Sequence, residues 1–344
     1  MVTKSDKGNN IVILNKSSYI EKIGILLSDH QVYEKLNSNP LKDTQRAFNN
    51  QLKDILGHNV SLIEKFRSKL PCMPYLYGLP KLHKEGTPFR PIISTVQSIS
   101  YSLSKYLATS LSQFVGKISS SHIVNSEHFV NSIRNVNLNG KKLVSFDIVS
   151  LFTNVPLDSA LTFLNRFFSD EREMLLPLNK TVFFKLLKLA LSINHFSFNG
   201  NYYKQNFGLS MGNPLSPVLS NLFLECMEKY LMNEILNENI VWMRYVDDVF
   251  AILPNECDVN EFLAKINALC PTIKFTVENE GVNGLPFLDV FVSRSEMGFP
   301  CFKVYRKQTH TNNYIHAFSG HCESVKKGVI SGLFLRALRD TVVA

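Results

Sequence analysis

Asp247 and Asp248 stand side by side between two apolar, strand-like runs, Val241 to Val246 and Val249 to Leu253. So short a connection between such runs is a strong hairpin signal. Aspartate is also a common turn residue, so the pair by itself reads first as a solvated turn. Asp147 alters that reading, because it lies at the end of another strand-like segment, Leu143 to Ile148, bounded by Asn139-Gly140. If the two elements are neighbours in one sheet, three carboxylates converge. At an effective dielectric of about 20 and a separation of about 4 Å, each like-charged pair costs at most on the order of 4 kcal/mol, which calls for bound cations. Oxygen-only ligands with open positions suit Mg2+, which keeps its waters and shares substrate phosphates. The matching chemistry is two-metal phosphoryl transfer, in which one ion activates an attacking hydroxyl and the other neutralises the leaving pyrophosphate.

These carboxylates need a sheet to hold them. Residues 17 to 70 read mainly helical, with Tyr19, Ile23, Leu26, Leu27 and then Leu52, Ile55, Leu56 at three-to-four spacing. Pro71 and Pro74 end that region, and Tyr75 to Thr95 reads as a strand pair joined by a loop at Lys84 to Pro88. Ser100 to Phe114 and residues 181 to 193 read as helices, and His195 to Gln205 as a hairpin turning at Asn199-Gly200. Ser216-Pro217 reads as a helix start, leading an amphipathic helix with Leu219, Leu222, Phe223, Cys226, Met227, Tyr230 and Leu231 on one face. Residues 258 to 269 read helical, and 273 to 278, 286 to 293 and 299 to 306 as strands. The expected fold class is α+β, an antiparallel sheet backed by helices.

The 344 residues, 45% hydrophobic and 19% charged, exclude a disordered tail and a stapled mini-protein. Six cysteines without a C-x-x-C pair argue against a disulfide framework or zinc ribbon and fit a reducing, intracellular compartment. Gln205 to Leu224 is uncharged, but its Asn, Gly and Pro residues reject a membrane span, and MVTKSDKGNN has no apolar core of a signal peptide behind it. No membrane partner is expected. The net charge of +8 is uneven: residues 1–59 carry +2, 60–145 carry +8, 146–280 carry −6 and 281–344 carry +4. A basic front, an acidic centre and a basic end suit a protein that grips a polyanion at its flanks and holds cations in between.

The motifs resemble those of reverse transcriptases. Tyr245-Val246-Asp247-Asp248 resembles the Y-x-D-D signature, and Phe146-Asp147-Ile148-Val149-Ser150-Leu151-Phe152 with Val155-Pro156-Leu157 is similar to the first aspartate motif. Gly208 to Pro217 is similar to the Gly/Pro-rich motif beside nucleotide and template, and Pro80 to Lys84 with Phe89 to Ile93 resembles the basic fingers motif. Four motifs in order over residues 80–253 make the resemblance specific. Lys4 to Asn9, Tyr77 to Lys84, Pro286 to Val290, and Lys307-Gln308-Thr309 followed by Ser319-Gly320-His321 resemble Penelope-like retroelements, related to telomerase. That subfamily has Ser-x-His-Pro where Cys322 follows His321 here, and many members carry a C-terminal GIY-YIG nuclease not present before Ala344, so a fragment or truncated copy is expected.

The resemblance implies a right-hand polymerase: an antiparallel-sheet palm, mixed fingers and a partial helical thumb. The expected divisions are an N-terminal helical extension and fingers at 1–140, a palm at 141–300 with a helical insertion near 158–205, and a thumb starting at 301–344. Asp147, Asp247 and Asp248 would be catalytic metal ligands for two Mg2+ ions, with Mn2+ as a substitute. Arg90 would clamp the triphosphate through its planar fork, helped by Lys81 or Lys84. Phe152 would crowd the sugar 2′ carbon, Gly212 would let the backbone approach the nucleotide, and Met211 would pack where many retroviral enzymes have Gln. The implied partners are an RNA template, a DNA primer and deoxynucleoside triphosphates, in the nucleus, with products destined for DNA integration. The rival expectation is a catalytically inactive retroelement-derived nucleic-acid-binding protein. A zinc site at His310, His316, His321 and Cys322 follows no established spacing, and Ser216 and Ser220 lack the context of hydrolase nucleophiles. Lys303 and Lys307 are open as a proton donor to pyrophosphate or a primer contact. A helix over Val325 to Leu338 brings Lys326, Lys327, Arg336 and Arg339.

Overall fold

The computed structural model describes the chain except residues 8–9, 170–171, 173–174, 238, 308–313 and 341–344, and the side chains of 339 and 340. In chain order the first half runs β1 (Val2–Lys4), β2 (Ile11–Ile13), α1 (Lys16–Leu27), β3 (Tyr33–Leu36), α2 (Leu41–Leu56), α3 (Val60–Phe66), β4 (Tyr75–Pro80), β5 (Phe89–Ser94), α4 (Tyr101–Ser112) and α5 (Ser126–Ile133). Then come β6 (Lys141–Ile148), α6 (Leu151–Asn154), α7 (Leu157–Phe167), α8 (Lys180–Ser192), β7 (His195–Phe198), β8 (Asn201–Gln205) and α9 (Leu215–Tyr230). The rest is β9 (Val241–Tyr245), β10 (Asp248–Pro254), α10 (Val259–Leu269), β11 (Phe275–Asn279), β12 (Leu285–Phe287), β13 (Val290–Arg294), β14 (Pro300–Val304) and α11 (Glu323–Asp340). The fold class is α+β, as the alternating helical and strand patterns predict. No helix among the described residues is long and apolar enough to cross a membrane.

The chain forms two compact units, one of Met1–Ile118 with Ser150–Lys229 and one of Ser119–Val149 with Tyr230–Ala344. The first holds a five-stranded sheet ordered β3-β8-β7-β4-β5. Its hairpins follow from turn chemistry: Asn199 and Gly200 both take positive φ, as the tight turn between β7 and β8 demands. Tyr19, Ile23 and Leu27 of α1 form an apolar stripe that buries against Tyr33, Leu76, Phe89, Ile93 and Phe196 of the sheet. The Tyr19 hydroxyl accepts the Gly78 N–H at 2.7 Å, so this buried aromatic also satisfies a backbone donor. β3 lies inside the region that reads as helix in sequence; its four residues are too few to reveal a strand period.

The second unit holds a four-stranded antiparallel sheet ordered β11-β6-β10-β9 and a three-stranded sheet ordered β12-β13-β14. Phe129, Val130 and Ile133 of α5 join Leu143, Phe250, Ile252, Phe287, Val290, Val292 and Phe302 in one apolar core. The single strand expected over 286–293 is instead the β12–β13 hairpin, pairing Phe287 with Val290. Leu288 takes φ +53° at that turn, a conformation an apolar residue does not advertise. α9 also departs from expectation. It begins at Leu215, whose N–H is accepted by the Asn213 side chain at 2.9 Å, and Ser216 lies within it. Residues 219 to 228 are all buried, so this helix is covered nearly all round rather than on one face. α11 spans the helix expected over Val325 to Leu338.

Candidate active site

In the second unit, β10 runs antiparallel to β6 and places Asp248 directly opposite Asp147. The Ile148 N–H donates to the Asp247 carbonyl at 3.1 Å, so Asp147 and Asp248 form the non-hydrogen-bonded kind of cross-strand pair. In such pairs the Cα atoms are about 4.5 Å apart and both side chains share a face. Asp147 is exposed and Asp248 half-buried. Flanking positions sink into the sheet: Phe146, Ile148, Val249 and Phe250 are buried. The apolar inner strands thereby carry two carboxylates to one end of a rigid support.

The turn before β10 is Val246-Asp247, not Asp247-Asp248, and Asp248 is the first residue of the strand. Val246 has φ +56°, a left-handed conformation that costs a β-branched residue roughly 1–2 kcal/mol. Arg244 explains how the turn is held. Its side chain is 1% exposed, and its Nη1 donates to the Val246 carbonyl at 3.2 Å. Its backbone is fixed as well, with N–H donated to Ser121 at 2.7 Å and carbonyl accepting from Ile123 at 2.8 Å. The sequence reading passed over Arg244; the available signal was a single cation inside an otherwise apolar strand.

Like charges directly opposite on neighbouring strands are destabilising unless a cation lies between them. The Asp147–Asp248 pair therefore fits a hard divalent cation, with carboxylate oxygens as ligands. Asp247 adjoins this pair in the turn, and no group of three or more His, Cys, Asp or Glu side chains is gathered as a ligand set among the described residues. The same finding covers His316, His321 and Cys322, while His310 lies outside the described residues.

The candidate nucleotide-binding residues all belong to the first unit. Lys81 is half-buried and Lys84 exposed in the β4–β5 loop, which is closed by Lys81 N–H to Pro88 at 2.9 Å and Lys84 N–H to Lys81 at 3.0 Å. Burial holds the Lys81 ammonium below its ordinary value, and the neighbouring charges of Arg90 and Lys84 push it the same way. A loop whose cations repel one another in this way is a ready site for an anion. Arg90 lies on β5 opposite Leu79, with its Nε 3.1 Å from an Asp6 oxygen.

The Gly/Pro-rich segment is stapled to both neighbouring motifs of this unit. Ile93 donates its N–H to the Met211 carbonyl at 2.7 Å, and the Thr95 hydroxyl donates to the Gly212 carbonyl at 2.8 Å. Gly212 has φ +116°, and a Cβ there would run into the Ile93 carbonyl; the close approach seen is to the backbone of β5. On the other side Leu209 donates to the Phe152 carbonyl at 2.6 Å, and Gly208 packs its α-carbon against the Thr153 backbone. Phe152 and Met211 are half-buried. Ser216 and Ser220 spend their hydroxyls on the Ser210 and Pro217 carbonyls, so neither is poised as a nucleophile. Lys303 pairs with Phe291 in β14, and Lys307 is exposed.

The reverse transcriptase (RNA-dependent DNA polymerase) family profile matches residues 82–284, more than half of the chain. A curated relative, the putative COX1/OXI3 intron 2 protein of Saccharomyces cerevisiae, is 28% identical over 95 residues, 28% of this chain and 10% of that protein. Among solved structures, telomerase from Candida albicans in complex with a TWJ fragment of telomeric RNA aligns with a TM-score of 0.65 at 12% identity, over 98% of this chain and 58% of that one. Apo telomerase from Candida tropicalis, truncated from its C-terminal domain, aligns with a TM-score of 0.61 at 13% identity, over 88% and 63%. The chain thus spans about a tenth of the curated relative and under two thirds of these telomerase chains. At such identities the structural likeness speaks for the fold, the α+β polymerase fold of telomerase and reverse transcriptases.

Proposed function

Because this chain belongs to the reverse transcriptase (RNA-dependent DNA polymerase) family, we propose that it extends a DNA primer on an RNA template with deoxynucleoside triphosphates. The observation that carries the reading is the Asp147–Asp248 cross-strand pair, with Asp247 in the adjoining turn. Asp147, Asp247 and Asp248 would hold two Mg2+ ions, or Mn2+ in their place, which would supply activation of the primer hydroxyl and neutralisation of the departing pyrophosphate. The protein's own share is positioning. Arg90 takes two phosphate oxygens through its planar fork, Lys81 and Lys84 add point charges, and Phe152 stands against the sugar where a 2′-hydroxyl would need room. Gly212 and Met211 supply a flat wall for the nucleotide. In the right-hand division, residues 1–140 serve as fingers and extension, 141–300 as palm and 301–344 as the start of a thumb.

We further infer that the chain derives from a Penelope-like retrotransposon and works in the nucleus, where its product is integrated into DNA. The motifs around Asp6, Tyr77 to Lys84 and Pro286 to Val290 support the Penelope-like origin; Gln308 and Thr309 of a further motif lie outside the described residues. The test is primer extension on a poly(rA)/oligo(dT) template with dTTP and Mg2+, run beside a poly(dA) template. Extension on the RNA template, lost on chelation, is the expected result. Template binding with no extension under either metal would assign the chain to the inactive nucleic-acid-binding class instead.

A further inference from the structure

Beside the β4–β5 loop lies a carboxylate that neither the metal site nor the nucleotide contacts account for. Asp6 sits in the connection between β1 and β2, the short antiparallel pair at the start of the chain. The connection is closed on itself: Ser5 N–H donates to the Asn10 carbonyl at 2.9 Å, Ser5 Oγ to the Lys7 carbonyl at 2.6 Å, and Asn10 N–H to Ser5 Oγ at 3.1 Å. It is also tied to the sheet, since Asp6 N–H donates to the Pro80 carbonyl at 3.0 Å. These bonds leave the Asp6 side chain only 3% exposed. One of its oxygens lies 3.1 Å from Arg90 Nε, at ion-pair distance although the N–H is not aimed along the line; the other, Oδ2, is buried without a hydrogen-bond partner.

A carboxylate buried this deeply is costly unless cations compensate it. Cations are at hand: Arg90, Lys81 and Lys7 lie around it, and its charge acts against the lowering of both Lys81 and His83. Within the β4–β5 loop itself the acidic residue is Glu85, exposed at its tip. The geometry at Arg90 is asymmetric. Its Nε edge meets the buried acid, its side chain is 40% exposed, and Nη1 and Nη2 have no ion pair or hydrogen bond among the described residues. An arginine pinned by Nε from inside keeps its two terminal nitrogens as a fork for a bidentate oxyanion.

We propose that Asp6 is the positioning residue for Arg90: its buried carboxylate holds the Nε edge of the guanidinium so that the Nη1/Nη2 edge is presented to the triphosphate of the incoming nucleotide. The β1–β2 pair is then a working part of nucleotide binding rather than a leader to it. This deepens the polymerase reading and rests on it. Losing the carboxylate frees Arg90 to sample other rotamers, so ground-state binding of the triphosphate weakens while the chemical step, once the nucleotide is seated, changes little.

The test uses the full chain and four variants: Asp6→Asn, Asp6→Glu, Arg90→Ala, and Asp6→Asn with Arg90→Ala. On poly(rA)/oligo(dT), Asp6→Asn is expected to raise the KM for dTTP about tenfold with kcat within about threefold of the parent. Asp6→Glu restores part of that loss, and Asp6→Asn adds nothing further in the Arg90→Ala background. A purely structural role would lower kcat with KM and act equally in both backgrounds. Calorimetric titration of inorganic tripolyphosphate, without primer or template, should rank the variants in the same order. That arm separates the two readings: a parent that extends no primer but loses tripolyphosphate affinity on Asp6→Asn retires the polymerase activity and leaves the positioning role standing. Should Asp6→Asn fold poorly, Asp6→Glu decides alone. Parent KM and parent tripolyphosphate affinity in the Asp6 variants, or in Arg90→Ala, would overturn the inference.

Discussion

Asp247 occupies a two-residue turn fixed by backbone and neighbours rather than by its carboxylate: its carbonyl accepts from Ile148, Val246 takes a left-handed conformation and Arg244 is bonded to the Val246 carbonyl. Replacing it with asparagine keeps the shape and removes the charge. Asp247→Asn should leave the melting temperature within about 2 °C and lower primer extension by at least ~10²-fold, the scale seen when one electrostatic stabiliser is deleted. Extension at the parent rate would remove Asp247 from the site. For Phe152 the measurement is a ratio. Phe152→Ala should shrink the discrimination between dTTP and rUTP in kcat/KM, whatever happens to overall rate; an unchanged ratio would return the ring to a packing role. Cysteine reactivity gives an independent check on the core. Burial, aided by the Glu225 charge, pushes the Cys226 thiol up to about 12, whereas hydrogen bonds from Ser324 and the Val325 N–H hold exposed Cys322 below its ordinary value. Iodoacetamide at pH 8 should therefore label Cys322 in the native protein long before Cys226, as read by mass spectrometry.

At the scale of elements, what could be read from sequence was whatever a single stretch of chain decides. The β9–β10 hairpin, the Asn199-Gly200 turn and the apolar stripe of α1 each follow from local pattern. The turn at Leu288-Asp289 was invisible because apolar residues run up to it and resume after it, and β3 was lost because the strand it pairs with, β8, lies far along the chain. The aspartates were legible as chemistry, but the one-residue shift of the turn to Val246-Asp247 was not, since it depends on the register in which Asp248 pairs with Tyr245. Asp6 was legible only as part of a motif; the backbone bond that ties it to Pro80, far along the chain, was not. Gly212 shows how such long-range packing can be tested. Gly212→Ala must place a Cβ against the Ile93 carbonyl at φ +116°, and should cost about 1–3 kcal/mol, seen as a lower urea midpoint at unchanged slope. His195 on β7 makes a pH test of the same sheet. Desolvation, with help from Lys204, lowers its pKa in the fold, so the unfolded chain binds more protons as pH falls through about 6.5. Stability should then drop below that pH, and His195→Asn should flatten this acid limb; an identical pH profile would show that His195 is not its source.

For the whole molecule, the relevant quantity is charge and where it lies along the chain. With +8 overall and the largest excess over residues 60–145, binding to a primer–template must release counterions. Raising salt from about 50 to about 200 mM should weaken that binding at least tenfold, measured by fluorescence anisotropy on one labelled duplex. Affinity that ignores salt would mean the basic surface does not face nucleic acid. The acidic middle of the chain, net −6 over residues 146–280, contains all three candidate metal ligands, and divalent ions should therefore alter nucleic-acid affinity in the parent more than in Asp247→Asn.

The order of strands in the second sheet, β11-β6-β10-β9, also governs how the protein is born. β6 lies between β10 and β11, with Leu143, Val144, Phe146 and Ile148 buried in the finished sheet, yet both partners are encoded roughly a hundred residues later. At about 5–20 residues per second, a ribosome leaves that apolar segment without its neighbours for on the order of 5–20 s. During that interval the strand bearing Asp147 is an open edge, the species most prone to join another chain. Nascent chains halted between residues 149 and 241 should accordingly be captured by chaperones or cleared, and a chaperone supplied during synthesis should raise the yield of folded protein.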